Sequence, residues 1–359
     1  MSIFLSEKYR SLKAYVPGEQ PRDRKYLKLN TNESPFPPSP AVSKAVTECV
    51  GDLNLYPDPE YLSLRRALAA CHGVTEDMVT VGAGSDEILD WCFRAFFTDR
   101  GAAFPDVTYG FYKVWADLYA IPCETFPLKD DFTVDSADYE NTSRAVVIPD
   151  PNAPTGVRLG EAAVERILRA DPGRVVVIDE AYADFASGNC VSLTKKYENL
   201  VVVRTFSKSR SLAGGRVGYC IASPELIRDI DLLRFSSNPY NLSRMAAAAA
   251  EAALSDGAYF EGNVKKICAT REKTKADLRK IGFEVTDSEA NFLFIRLPGV
   301  SGAAIDAELR RRGVLVRRFD GPRTGDFLRV TVGEAADMER FAAEIADAAK
   351  TVAEFEKLV

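Results

Sequence analysis

The residues richest in chemistry lie in one stretch, Thr205-Phe206-Ser207-Lys208-Ser209-Arg210-Ser211-Leu212-Ala213-Gly214-Gly215-Arg216. A lysine amine held out of bulk water can attack a carbonyl carbon and form a Schiff base. Ser207, Ser209 and Arg216 offer donors to an anion beside it, and an arginine fork suits a phosphate. A solvated loop lysine is the plain alternative, so other parts of the chain must decide.

They supply partners. Asp179-Glu180-Ala181-Tyr182 follows an apolar run, as does Pro149-Asp150-Pro151-Asn152. Gly82-Ala83-Gly84-Ser85-Asp86-Glu87 joins a short apolar run to a helical pattern, and the free N–H groups at such a helix start favour a phosphate. The glycine run is neither GxGxxG nor a P-loop, so a nucleotide lacks its usual contacts. Tyr109 precedes a glycine in a loop, where its ring could cover a planar ligand. An amine, an acid, an anion cradle and a stacking ring are what pyridoxal phosphate requires of a protein. Lys208 would hold its aldehyde. Asp179 would keep its pyridine nitrogen protonated. Asn152 and Tyr182 would donate to its phenolate oxygen. Gly84, Ser85, Asp86, Thr205, Ser207 and Arg216 would surround its phosphate.

The elements that must position these residues can be read from periodicity. The runs 145–148, 175–178 and 200–203 are short, apolar and mostly β-branched, as strands buried on both faces of a parallel sheet are. Each ends at one of the groups above. Helical or loop segments over 161–170 and 187–199 separate them. This alternation predicts an α/β fold, a mainly parallel doubly wound sheet in a large domain, with its site at the carboxyl ends of the strands. A strand over 78–81, a helix over 88–97, a helix opening within 104–112, a strand over 218–221 and an alanine-rich helix over 245–254 complete that domain. A long helix over 259–281 leads into a smaller α+β domain. Its strands are expected at 283–285, 292–296, 314–319 and 327–332, and its helices at 303–312 and 334–357. The expected boundaries are an arm over 1–25, a large domain over 26–255 and a small domain over 256–359.

Composition narrows the class. The chain has 359 residues, 46% hydrophobic and 27% charged, with a net charge of -6, which suits a globular protein of about two domains. No basic block points to nucleic acid, and no apolar run approaches membrane-spanning length. The seven cysteines are scattered and form no CxxC pair, which suggests reduced thiols in a cytoplasm and no metal site. No apolar signal segment is expected at the start. The single histidine, His72, excludes a histidine dyad or cluster.

Several pieces together resemble a known family. They are Leu-Lys-Ala-Tyr-Val-Pro-Gly at 12–18, Leu-Asn-Thr-Asn-Glu-Ser-Pro at 29–35, Tyr-Pro-Asp-Pro at 56–59 and Gly-Ala-Gly-Ser-Asp-Glu at 82–87. Further along come Thr-Tyr at 108–109, Pro-Asn-Ala-Pro-Thr-Gly at 151–156, Asp-Glu-Ala-Tyr at 179–182, the lysine stretch 207–216 and Leu-Arg-Val-Thr-Val-Gly at 328–333. The chain resembles the class I/II aminotransferases of fold type I, and within them the histidinol-phosphate aminotransferases. The resemblance implies Lys208 as the Schiff-base lysine, Asp179 as the pyridine partner and Tyr109 as the stacking ring. It implies a homodimer in which Tyr56 reaches the neighbour's cofactor phosphate. It also implies that Arg329, with Arg317, Tyr15 and Asn32, binds the substrate. The implied reaction passes an amino group from L-histidinol phosphate to 2-oxoglutarate. Threonine-phosphate decarboxylase and aromatic aminotransferase chemistry share the cofactor residues and stand as alternatives. The loop 318–326 carries extra arginines, Arg318 and Arg323, and leaves open which arginine takes the substrate phosphate.

Overall fold

The computed structural model describes residues 2–356, so Lys357, the expected end of the last helix, lies outside them. After an irregular arm the chain forms β1 (Leu27–Lys28). Seven strands follow: β2 (Val79–Gly82), β3 (Ala102–Pro105), β4 (Cys123–Phe126), β5 (Ala145–Pro149), β6 (Val176–Asp179), β7 (Leu200–Thr205) and β8 (Gly218–Ala222). They make one sheet in the order β2-β8-β7-β6-β5-β3-β4. β8 runs antiparallel to β2 and β7, and the other pairs are parallel. The fold is therefore α/β with a mainly parallel sheet.

The alternation of side chains along each strand divides the core in two. Val146, Ile148, Val176, Ile178, Leu200 and Val202 pack on one face with Leu64, Leu68, Val164 and Ile167. Ala145, Val147, Val177, Val201 and Val203 pack on the other with Leu89, Trp91, Phe93 and Trp115. Both faces are covered by helices, which is why these runs are apolar throughout.

Several elements differ from expectation. β3 and β4 were not expected, nor was the helix Pro224–Ser237, which starts at a proline behind Ser223, whose side chain caps it. The helix expected over 88–97 begins at Ser85, ends at Cys92 and continues as a π-helical turn, Phe93–Phe97, with the Phe93 and Phe97 rings stacked 4.7 Å apart. Phe104 belongs to β3, and the next helix is Phe111–Tyr119.

The smaller unit follows the helix Gly257–Lys280 and holds β9 (Glu284–Val285), β10 (Phe292–Arg296), β11 (Val314–Leu315), β12 (Arg317–Arg318) and β13 (Leu328–Thr331). The run expected as one strand over 314–319 is broken at Val316. β11 pairs in parallel with β1, while β12 pairs with β13 in the sheet β12-β13-β10-β9. The break sets Arg317 directly opposite Arg329. The pairing of β1 with β11 carries Leu27 and Leu29 to the core of the smaller unit. Among the described residues no helix is long and apolar enough to cross a membrane.

Candidate active site

A cavity of about 230 Å³ opens at the carboxyl ends of β5, β6 and β7 and extends to the strands β12 and β13. Lys208, Asp179, Tyr182, Tyr109, Thr205 and Ser207 line it, as do Ser85, Asp86 and Arg216 at one end and Tyr15, Asn32, Arg317 and Arg329 at the other.

Lys208 stands on the loop between β7 and β8. Phe206 closes that loop at its base, donating its N–H to the Val217 carbonyl at 3.0 Å. Inside the loop, Ser211 (φ 58°) and Arg216 (φ 51°) take left-handed conformations without being glycine. Such conformations cost on the order of 1–3 kcal/mol each and persist only where the surroundings enforce them. The Lys208 amine makes one long hydrogen bond, 3.4 Å to the Thr31 carbonyl, and lies 5.7 Å from the centre of the Tyr182 ring.

Asp179 ends β6. Tyr112 donates its hydroxyl to Oδ2 at 2.8 Å, and the Ala181 N–H approaches Oδ1 at 3.2 Å. Burial pushes the carboxyl up to about 6, against the pull of Tyr112 and Ala181. Sequence reasoning missed Tyr112, which holds the orientation of this acid from 67 residues away. Its only local signal is its place three residues after Tyr109 on the same turn. Tyr109 is itself fixed, donating to Asp86 Oδ1 at 2.9 Å and meeting Tyr112 edge-on at 5.6 Å. The Tyr182 hydroxyl accepts from Asn32 Nδ2 at 3.0 Å, which leaves its own proton to give. Asn32, at φ 55°, is held by Thr331 at 2.9 and 3.1 Å, so its amide serves Tyr182.

The phosphate-sized end is built at the start of the helix Ser85–Cys92. No side chain caps that helix. Gly84, at φ 85°, lies just outside the lining; a Cβ there would stand 2.4 Å from the Arg216 guanidinium. A Cβ on Gly218 would lie 2.4 Å from Ser85 N, so β8 can pass under the cradle only as glycine. Arg216 donates to Ser207 Oγ at 3.3 Å and to Asp86 Oδ2 at 3.2 Å. Thr205 Oγ1 bonds Ser207 Oγ at 3.0 Å. An uncapped helix start flanked by an arginine and hydroxyls fits a phosphate. With Lys208 and Asp179 in the same cavity, these residues fit pyridoxal phosphate.

Besides Gly84, two expected residues are not in the lining. Asn152 is 1% exposed, and its amide nitrogen donates to the Val107 carbonyl and to Thr155 Oγ1, both at 3.0 Å. Both donor hydrogens are taken up within these loops. Tyr56 is 76% exposed, outside its own chain's cavity, and stacks on Tyr240 at 4.5 Å.

At the far end, Arg329 donates to the Asn30 carbonyl at 3.1 Å, and its buried Nε has no hydrogen-bond partner among the described residues. Burial lowers its affinity for its proton. Arg317 donates to the Val16 and Pro17 carbonyls of the arm at 2.9 and 3.2 Å. Tyr15 stacks on Phe111 at 4.5 Å between them and Tyr109. The loop arginines are committed elsewhere. Arg318 pairs with Asp320, while Arg323 donates to Asp106 at 3.2 Å and to the Lys129 carbonyl at 2.7 Å. Among the described residues, neither Arg317 nor Arg329 has a carboxylate partner.

The family model for aminotransferase class I and II matches residues 24–345. A histidinol-phosphate aminotransferase of Clostridium acetobutylicum is 47% identical over 343 residues, covering 95% of this chain and 97% of that one. Histidinol-phosphate aminotransferase 2 of Rhizobium meliloti is 48% identical, covering 96% and 99%. The crystal structure of a histidinol-phosphate aminotransferase from Sinorhizobium meliloti in complex with pyridoxal-5'-phosphate shares the fold, with a TM-score of 0.88, 24% identity and coverage of 98% and 99%. With most of its length matched by the family model and by close relatives, the chain belongs to the class I and II aminotransferases.

Proposed function

We propose that the protein is a pyridoxal-phosphate-dependent aminotransferase that moves an amino group from L-histidinol phosphate to 2-oxoglutarate. The products are 3-(imidazol-4-yl)-2-oxopropyl phosphate and L-glutamate. One observation carries the reading: Lys208 and Asp179 share a cavity whose other end holds two arginines with no carboxylate. Curated relatives at 47–48% identity carry the name of this activity.

When bound, pyridoxal phosphate supplies an aldehyde to receive the amino group and a ring to accept electrons. The remaining work falls to the chain. Asp179 holds the proton on the ring nitrogen, with Tyr112 fixing its orientation. Tyr182 gives its hydroxyl proton to the ring oxygen, Tyr109 covers the ring face, and Gly84, Ser85, Asp86, Ser207 and Arg216 hold the phosphate, backed by Thr205. Lys208 would take the proton from the amine-bearing carbon of the substrate as general base and, as acid, deliver it to the carbon that had been the cofactor's aldehyde. Arg329 and Arg317 hold the substrate's anionic end, with Tyr15 closing over it. Because Arg318 and Arg323 are spent, the substrate phosphate falls to Arg317 and Arg329.

The same reading makes the protein a homodimer with Tyr56 completing the partner's cofactor phosphate site. The exposure of Tyr56 beside Leu53 and Leu55, 48% and 58% exposed, supports it. It also gives a large domain ending near residue 255 and a small one after it. All seven cysteines are unpaired, which suits a reducing compartment such as the cytoplasm.

The deciding experiment incubates the protein with histidinol phosphate and 2-oxoglutarate and measures glutamate. Glutamate should form, and Lys208→Ala should abolish it. Carbon dioxide released from threonine phosphate, without glutamate, would overturn the assignment.

A further inference from the structure

Below the cavity lies a buried cluster to which the reaction above gives no task. Arg204 precedes Thr205 on β7 and points to the opposite side of the strand. It is 5% exposed at the side chain and donates to Glu180 Oε2 at 3.1 Å and to Asp184 Oδ1. The second oxygen of Asp184 accepts the hydroxyl of Ser209, a residue 3% exposed. Glu180 Oε1 accepts the Cys190 N–H.

The places of these residues in the chain matter. Glu180 follows Asp179, Asp184 comes two residues after Tyr182, and Ser209 follows Lys208. The Asp184 carboxylate therefore ties the turn that carries the acid and the phenol to the turn that carries the amine. The amine has little else to hold it, since its own hydrogen bond is 3.4 Å long. Its location is inherited from the backbone of Ser207–Ser209, which Asp184 holds through the Ser209 hydroxyl.

We infer that Asp184 is a positioning residue which, through Ser209, sets where the Lys208 amine stands relative to the Asp179 carboxylate. The inference rests on the reading of Lys208 and Asp179 as the cofactor's partners. An amine held in place beside its target carbon competes against free amines with a high effective concentration, which is lost when the geometry loosens. A brace of this kind is thus measurable as that competition, without turnover.

The test uses the full-length, cofactor-loaded protein. Methylamine is added, and its displacement of Lys208 from the cofactor is followed by visible absorbance. Ser209→Ala leaves the Arg204–Asp184 pair in place and should fold. It should halve the Lys208 link at about tenfold lower methylamine than the wild type, and Asp184→Asn at a still lower concentration; a 1 Å displacement alone costs on the order of 10²-fold. Melting temperatures are recorded alongside. Wild-type methylamine midpoints in both variants, whatever the melting temperatures do, would overturn the inference. A wild-type protein with a normal midpoint but no glutamate from histidinol phosphate would sink the substrate reading alone. A wild-type protein with no amine-sensitive absorbance would sink the cofactor reading and this inference with it.

Discussion

Arg204 and Arg329 are both arginines on strands, drawn into the protein, yet they have opposite surroundings. Arg204 meets two carboxylates, and its proton is held more tightly than usual, because Asp184 and its neighbours outweigh the cost of burial. Arg329 meets a carbonyl, the faces of Phe292 and Phe319 at 5.4 Å each, and a second arginine across the sheet. Burial pulls its affinity for its proton down. A paired buried charge is part of the framework. An unpaired one is a cost that folding tolerates, and a ligand of opposite sign would remove it. Asp179 mirrors Arg329, as a buried carboxyl that has no ion pair among the described residues and is pushed up to about 6.

The contrast can be broken most forcefully at Arg204. Arg204→Met strands Glu180 and Asp184 without their cation, and breaking a buried pair this way costs about 3–5 kcal/mol. Denaturant unfolding should show that loss; near wild-type stability would remove the distinction. Arg329→Gln should do the reverse. It should lower kcat/KM for the phosphorylated donor by about 2–4 kcal/mol in transition-state terms while the melting temperature holds or rises, because an unpaired charge has gone. Asp179→Asn should abolish glutamate formation yet stabilise the cofactor-free protein at pH 7 by roughly 1–3 kcal/mol. The sign follows from the raised value: the native carboxyl keeps its proton longer than the unfolded one, so the cost of its charge is absent below the usual 3.8 and complete above about 6. Melts at pH 3 should therefore show almost no gain. The smallest effect belongs to Arg323→Ala, whose ion pair with Asp106 is 31% exposed on both sides. Below about 1 kcal/mol of stability and less than about threefold in kcat/KM are expected.

Much of the cavity was legible because its residues sit where periodic runs stop. Asp179, Tyr182 and Lys208 each follow an apolar, β-branched run, and a mainly parallel sheet gathers such ends at one rim. The bracing of those residues carries no such signal. Tyr112 reaches Asp179 across 67 residues, and Arg204 reaches Asp184 across 20, with no spacing rule linking the members of either pair. β3 escaped because Ala102 and Ala103 are not β-branched, and β4 because it is an edge strand with polar, partly exposed positions. Asn152 shows the limit in another way. Its position at the rim could be read, but the direction of its two hydrogens depends on the partners Val107 and Thr155.

The short pairing of β1 with β11 joins residues almost 290 positions apart, Leu27 with Val314 and Lys28 with Leu315. A polypeptide cut near residue 255 would thus give two pieces that are each incomplete. The C-terminal piece would carry Val314 and Leu315 as a bare, sticky margin with an empty seat where Leu27 and Leu29 belong. In a growing chain Leu27 and Leu29 must wait for Val314 and Leu315, made almost 290 positions later, before the core they share can close.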